Sequence, residues 1–423
     1  MPRTDLQVED VPLAAPILIE QFPNGLTLLA EPMATVRSAA FNFLVPAGCM
    51  HDPPDRLGLS ALLAEMISRG AGSRSSRELM IAFNSLGLDR AESSGTLHLR
   101  LAGSTLARNL IPALELYADV ILRPHLPEAE LEPAQELALQ ELAGLEDEPR
   151  QKVLLEVKRR HFPAPLGRSH HGVAEHIEAT TIADVRSFWE RLVQPRGAIL
   201  SVAGSIEWQP LRDAVSRLFS AWEPQPEPPL ATAPPLPRRE HLTKTTQQTQ
   251  IGIAYPSVPI THPDYYTAVG AVSVLSGGMS ARLFTEVREK RGLCYAVWAS
   301  HQMLREHACV FCYAGTTNER AQETLDVTLA ELARLGAGVE DDEVARVQAG
   351  MKSALIMQEE SVGARAGSLA GDWYYLGRVR SLDEIQAQVN GLTADRIAEF
   401  ARSHPPCDYT LVTIGPKPLQ APA

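Results

Sequence analysis

Apolar positions along the chain alternate between short runs of strand period and longer runs of helical period, in blocks. Residues 17–30 read as two short strands about the turn Pro23-Asn24-Gly25. A third strand over 39–45 ends at Pro46-Ala47-Gly48 and leads through His51-Asp52-Pro53-Pro54-Asp55 into an apolar helix over 58–70, with Leu59, Leu62, Leu63 and Met66 as its core stripe. A helix over 76–86, a strand pair around 91–102, long helices over 105–122 and 128–147, a strand over 198–202 ended by Ala203-Gly204 and a helix over 210–219 follow. Residues 222–239 contain Glu223-Pro224-Gln225-Pro226-Glu227-Pro228-Pro229 and Pro234-Pro235-Leu236-Pro237, too rich in proline for a helix or a central strand. The pattern then repeats: a strand over 250–256, a helix over 265–275, long helices over 321–335 and 341–359, and a terminal strand over 409–416. The expected fold is α+β: two homologous sandwiches, each a mixed or antiparallel sheet covered by helices, over 1–221 and 240–423, with 222–239 as a proline hinge.

Composition narrows the function. At 423 residues the chain exceeds one compact core. Hydrophobic and charged contents of 45% and 21%, with no apolar run long enough to span a bilayer, describe a globular chain without a membrane segment. The first ten residues have no signal-peptide core, so a cytoplasmic location is expected, or a periplasmic one if a leader has been removed. A net charge of −12 excludes nucleic acid as a partner, because phosphate binding needs a concentrated positive surface. Five scattered cysteines make no disulfide framework, and Cys309-Val310-Phe311-Cys312 lies in what reads as a buried strand. His170, His171, Glu175 and His176 are the one histidine cluster, with one residue too many for two helical ligands to share a face, in a segment that reads as a loop. No Gly-x-Ser-x-Gly elbow occurs.

The segment Gly58-Leu59-Ser60-Ala61-Leu62-Leu63-Ala64-Glu65-Met66-Ile67-Ser68-Arg69-Gly70 resembles the helix on which pitrilysin-type zinc peptidases carry the inverted motif His-x-x-Glu-His. On that pattern Ala61 stands for the first histidine, Ala64 for the general-base glutamate and Glu65 for the second histidine. Two methyl groups and a carboxylate cannot supply two imidazoles and a base. Glu141, in Leu137-Ala138-Leu139-Gln140-Glu141-Leu142, matches the distal glutamate ligand. The run Gly277-Gly278-Met279-Ser280-Ala281-Arg282-Leu283-Phe284, continued by Arg288-Glu289-Lys290-Arg291-Gly292-Leu293-Cys294-Tyr295, is similar to the family's second-half signature. Arg288 and Tyr295 match its substrate-contacting arginine and tyrosine. A guanidinium forks onto a carbonyl or carboxylate, and a phenol hydrogen-bonds a forming oxyanion. The bland alternative is an arginine satisfied by Glu286 or Glu289 and a tyrosine buried in its strand.

The resemblance implies a chain with no metal of its own that works as a partner subunit of a heteromeric zinc peptidase. The zinc would belong to a homologous subunit, and Arg288 and Tyr295 would meet the peptide substrate. The alternative is an inert scaffold homologue, of the kind found among respiratory-complex core subunits.

Overall fold

The computed structural model describes residues 16–420. Among the described residues eleven strands form two sheets. In chain order they are β1 (Leu18–Gln21), β2 (Thr27–Pro32), β3 (Ser38–Val45), β4 (Asp89–Ser94), β5 (Leu99–Leu106), β6 (Ile199–Gly204), β7 (Arg239–Thr243), β8 (Gln248–Ser257), β9 (Cys294–Leu304), β10 (His307–Thr317) and β11 (Thr410–Gly415). The first sheet runs β1-β2-β6-β3-β5-β4 and the second β7-β11-β8-β10-β9. Without β1 the two orders are the same. Each has one parallel pair, β2 with β6 and β7 with β11, and is otherwise antiparallel. The repeat expected from the sequence is therefore present in the topology, as two mixed sheets covered by helices.

β6 and β11 are buried at every residue, which explains why they read as unbroken apolar runs. Both faces of each sheet are covered, and one face of each is covered by the other half. The helix Pro149–His161, from before the linker, lies on β8 and β11, where Val153 and Val157 pack with Ala254, Val412 and Ile414. Gly252 in β8 admits this approach: a Cβ there would stand 2.6 Å from a Val157 methyl. In return the helix Val362–Leu376 lies on β3 and β6, where Ala366, Leu369 and Ala370 pack with Leu29, Ala40, Ile199 and Ala203. Its alanines allow a close fit, and Ser201 in β6 donates from its hydroxyl to the carbonyl of Ala366 at 2.6 Å.

At the edge of this second contact, Arg365 binds Glu31 of β2 through Nε at 3.0 Å and Glu359 at 3.1 Å. Arg365 and Glu31 are both buried. The helices 149–161, 182–192, 362–376, 382–390 and 394–403 lie outside the elements read from the sequence. The first and third of these pack each half onto the sheet of the other, and 222–239 joins the halves so packed.

Removing Arg365 leaves the Glu31 carboxylate buried without its cation. Arg365→Ala is expected to cost about 3–5 kcal/mol in urea unfolding, with much of the loss recovered in the double variant Arg365→Met/Glu31→Leu. A loss below about 1 kcal/mol would show the pair to be solvated.

Candidate functional site

The helix corresponding to the metal helix is Leu59–Met66. It opens at Gly58, whose φ of 105° suits glycine, and no side chain caps it from the usual position. Asp52 does so from further upstream: its carboxylate accepts the N–H of Gly58 at 2.8 Å and that of Ser60 at 2.9 Å. Burial pushes the Asp52 carboxyl up to about 7, against the lowering effect of those two bonds. Gly172 packs on this start so closely that a Cβ there would lie 2.4 Å from the Leu57 carbonyl oxygen.

Along the helix, Leu59, Leu62, Leu63 and Met66 are buried in the core of the first sheet, as their stripe predicts. Ala61 is half-buried and Ala64 buried. Neither methyl can ligate or accept a proton. Glu65 is already bound: Arg69, one turn on, pairs with its carboxylate and reaches Glu130 at 2.5 Å. Burial works against the Arg69 charge, but the bonds to Glu65 and Glu130 outweigh it and hold the guanidinium above its ordinary range. A fixed organic cation thus sits on the one carboxylate left on this helix. Glu141 lies exposed on the helix Leu131–Asp147, and its charge acts on His171.

A zinc ion of the kind held by the family's complete motif does not fit this donor set. Among the described residues no group of three or more His, Cys, Asp or Glu is placed to hold a metal ion. The histidine cluster is split. His176 lies in a short helix, Ala174–Ala179, rather than in a loop, and its Nδ1 accepts the N–H of Leu57 at 3.2 Å. The rings of His170 and His171 lie 4.0 Å apart, tilted by 37°, and burial pushes His170 down to about 4 and lowers His171. Cys309 and Cys312 point to opposite faces of β10, into different cores.

The second-half signature is built differently. Gly277 ends the helix Tyr265–Ser276, and Gly278 turns with φ of 151°. Arg282 is structural: it forks onto Glu343 at 2.7 and 2.6 Å and donates to the Gly338 carbonyl at 2.8 Å, pinning the start of the helix Asp341–Glu359. Phe284–Glu289 winds as a π-helical turn, closed by the Lys290 N–H donating to the Thr285 carbonyl at 2.9 Å. Glu286 is taken up by Lys290 at 2.7 Å and Arg291 at 2.9 Å.

That leaves Arg288 without an ion pair among the described residues. Its guanidinium lies over the Phe284 ring at 4.8 Å and the Tyr295 ring at 5.5 Å. Tyr295 is the extra residue of a β-bulge, since Thr316 pairs with Cys294 and Gly315 with Ala296. The bulge turns its ring outward, 78% exposed, between two inward-facing neighbours. The arginine is not satisfied by Glu286 or Glu289, and the tyrosine is not buried. Two backbone irregularities bring the pair together and present it to solvent.

Sequence reading did not single out Arg69, although its spacing four residues after Glu65 is a legible helical ion pair. Phe284 was legible only as part of the signature. Asp52 gave no signal, because a cap acting from six residues before Gly58 follows no local rule.

A duplicated mixed-sheet fold, an emptied metal helix and a displayed Arg–Tyr pair define a two-domain peptidase-like chain that lacks the inverted zinc motif. Residues 28–172 match the family model described as insulinase, peptidase family M16, and residues 179–351 the model described as peptidase M16 inactive domain. The chain belongs to this pitrilysin-like family, as a member without the zinc motif. It is 28% identical over 399 residues to an uncharacterized zinc protease of Bacillus subtilis, covering 93% of this chain and 97% of that one. An uncharacterized zinc protease of Rickettsia felis is 24% identical over 405 residues, covering 95% and 98%. In fold the chain is similar to a peptidase M16 inactive domain from Pseudomonas fluorescens, with a TM-score of 0.87 at 20% identity over 96% of this chain and 100% of that one. A protease from Helicobacter pylori gives 0.86 at 20% identity over the same shares.

Asp52 gives this region a pH signature. The carboxyl titrates near 3.8 in the unfolded chain and near 7 in the fold, so between these values the folded chain holds the extra proton. The contribution of Asp52 to stability therefore falls as pH rises from about 4 to about 7. The unfolding free energy of the wild type relative to Asp52→Asn is expected to fall across that window, and a difference independent of pH would contradict the assignment.

Proposed function

We propose that this chain is the metal-free partner subunit of a heteromeric pitrilysin-type peptidase. A homologous subunit carrying the complete motif holds the zinc, and this chain closes the chamber and meets the peptide with Arg288 and Tyr295. One observation carries the reading: the guanidinium and the phenol are held together and outward with no ion pair among the described residues, while the metal helix holds Ala61, Ala64 and an Arg69-bound Glu65. A structural arginine and tyrosine would be paired or buried, as Arg282 is.

Such a pair suits an extended peptide. The guanidinium donates to a substrate carbonyl or carboxylate, and the phenol hydroxyl stabilises negative charge on the attacked carbonyl oxygen. Peptide hydrolysis itself would take place at the partner's zinc, and the chain alone would have no peptidase activity.

The test is reconstitution with a homologous chain bearing an intact His-x-x-Glu-His helix. Arg288→Ala and Tyr295→Phe are each expected to lower kcat/KM for peptide cleavage by about 10²-fold or more, with unchanged melting temperatures because both side chains are exposed. Unimpaired turnover by both variants would remove the assigned roles. Absence of cleavage in every pairing would favour an inert scaffold. The purified chain is expected to carry substoichiometric zinc by elemental analysis, and a full equivalent would contradict the reading.

A further inference from the structure

A cavity of about 380 Å³ lies where the helices Leu131–Asp147 and Pro149–His161 meet the loop 163–173 and the proline-rich linker. Its size is at the lower end of small-ligand sites. One side is hydrocarbon, from Leu142, Leu145, Leu155, Phe162 and Val173, and Pro234-Pro235-Leu236 of the linker lie across it.

The charged residues of the lining do not balance. Glu146 is bound by Lys152 and has Lys244 at 3.7 Å; Glu156 is bound by Arg160 and has Arg159 at 3.4 Å. Both wall carboxylates are therefore saturated. Arg168 directs its donors to the carbonyls of Met50, Asp52 and Ala231, at 3.1, 2.6 and 3.2 Å, and forms no ion pair among the described residues. Arg159 is exposed, and its one carboxylate among the described residues is Glu156, which it shares with the closer Arg160, so two guanidinium charges face this one carboxylate. An apolar pocket with surplus guanidinium charge at its rim is out of character for a chain of net charge −12.

We propose that this cavity binds a free medium-chain aliphatic carboxylate, its hydrocarbon among the leucines and its carboxylate at Arg159, on the Arg168 side. A peptide segment suits it less well, because each residue brings an N–H and a C=O and the leucine wall offers them no partners. An uncharged hydrocarbon would leave the guanidinium charge unmatched. The bound acid would touch Leu57 and Val173, beside the start of the helix Leu59–Met66, and the linker, and so tie the two together. This site is independent of the roles given to Arg288 and Tyr295.

Decanoate titrated calorimetrically into the full chain is the direct test. Saturable one-to-one binding is expected, weakened about tenfold by Arg159→Gln through loss of a charged hydrogen bond. It should be abolished by Leu145→Trp, which fills the cavity from a half-buried position, with circular dichroism confirming that the variant is folded. Decanol should bind more weakly than decanoate. The proposal is overturned by absence of saturable decanoate binding, by equal binding to Arg159→Gln, or by tighter binding of a leucine-ended tripeptide acid than of decanoate.

Discussion

The structure depends on an exchange of helices between its halves. Each sheet has two apolar faces, and each half can cover only one of its own. The second face of the first sheet is covered by the helix Val362–Leu376, and that of the second sheet by Pro149–His161. Leaving either face in water would expose a continuous apolar surface, which a monomeric soluble chain rarely tolerates. The buried Arg365–Glu31 contact fixes the register of this exchange, because a buried charge is stable only where its partner is. The two halves consequently form one body, and the positions of the emptied metal helix and of the Arg–Tyr pair are set by the same packing.

On that rigid base, the two regions of the site have diverged. The first-half helix has its apolar stripe and remote Asp52 cap, and carries two methyl groups and a satisfied ion pair where the family pattern has its metal motif. The second-half signature keeps departures from regular backbone, a π-helical turn and a bulge, side by side. Regular structure would have placed Arg288 and Tyr295 elsewhere. Such irregularities weaken a helix or a ladder and persist where their surroundings hold them, here through Glu286 with Lys290, Arg291 and Arg334, and the Arg282–Glu343 fork.

Much of this was legible in the sequence. The duplication, the α+β class and the loss of the metal motif followed from Gly58–Gly70, the proline-rich segment and the terminal strand ending at Gly415. What was not legible depends on distant residues. The helix Val362–Leu376, with its small residues, shows a weak periodic pattern because both sides of it meet protein. The exposure of Tyr295 depends on a one-residue register shift against Gly315 and Thr316, which no pattern within β9 reveals. The split of the CxxC pair was in principle readable, since a spacing of three in a strand sends the side chains to opposite faces.

The exchange of helices also changes what the segment 222–239 contributes. Because the contacts that hold the halves together lie in two buried helix-on-sheet layers, the peptide bonds of the segment supply proximity rather than cohesion. A chain severed there would remain a single particle made of two polypeptides, each completing the other's sheet. The same architecture could thus be encoded as one gene or as two.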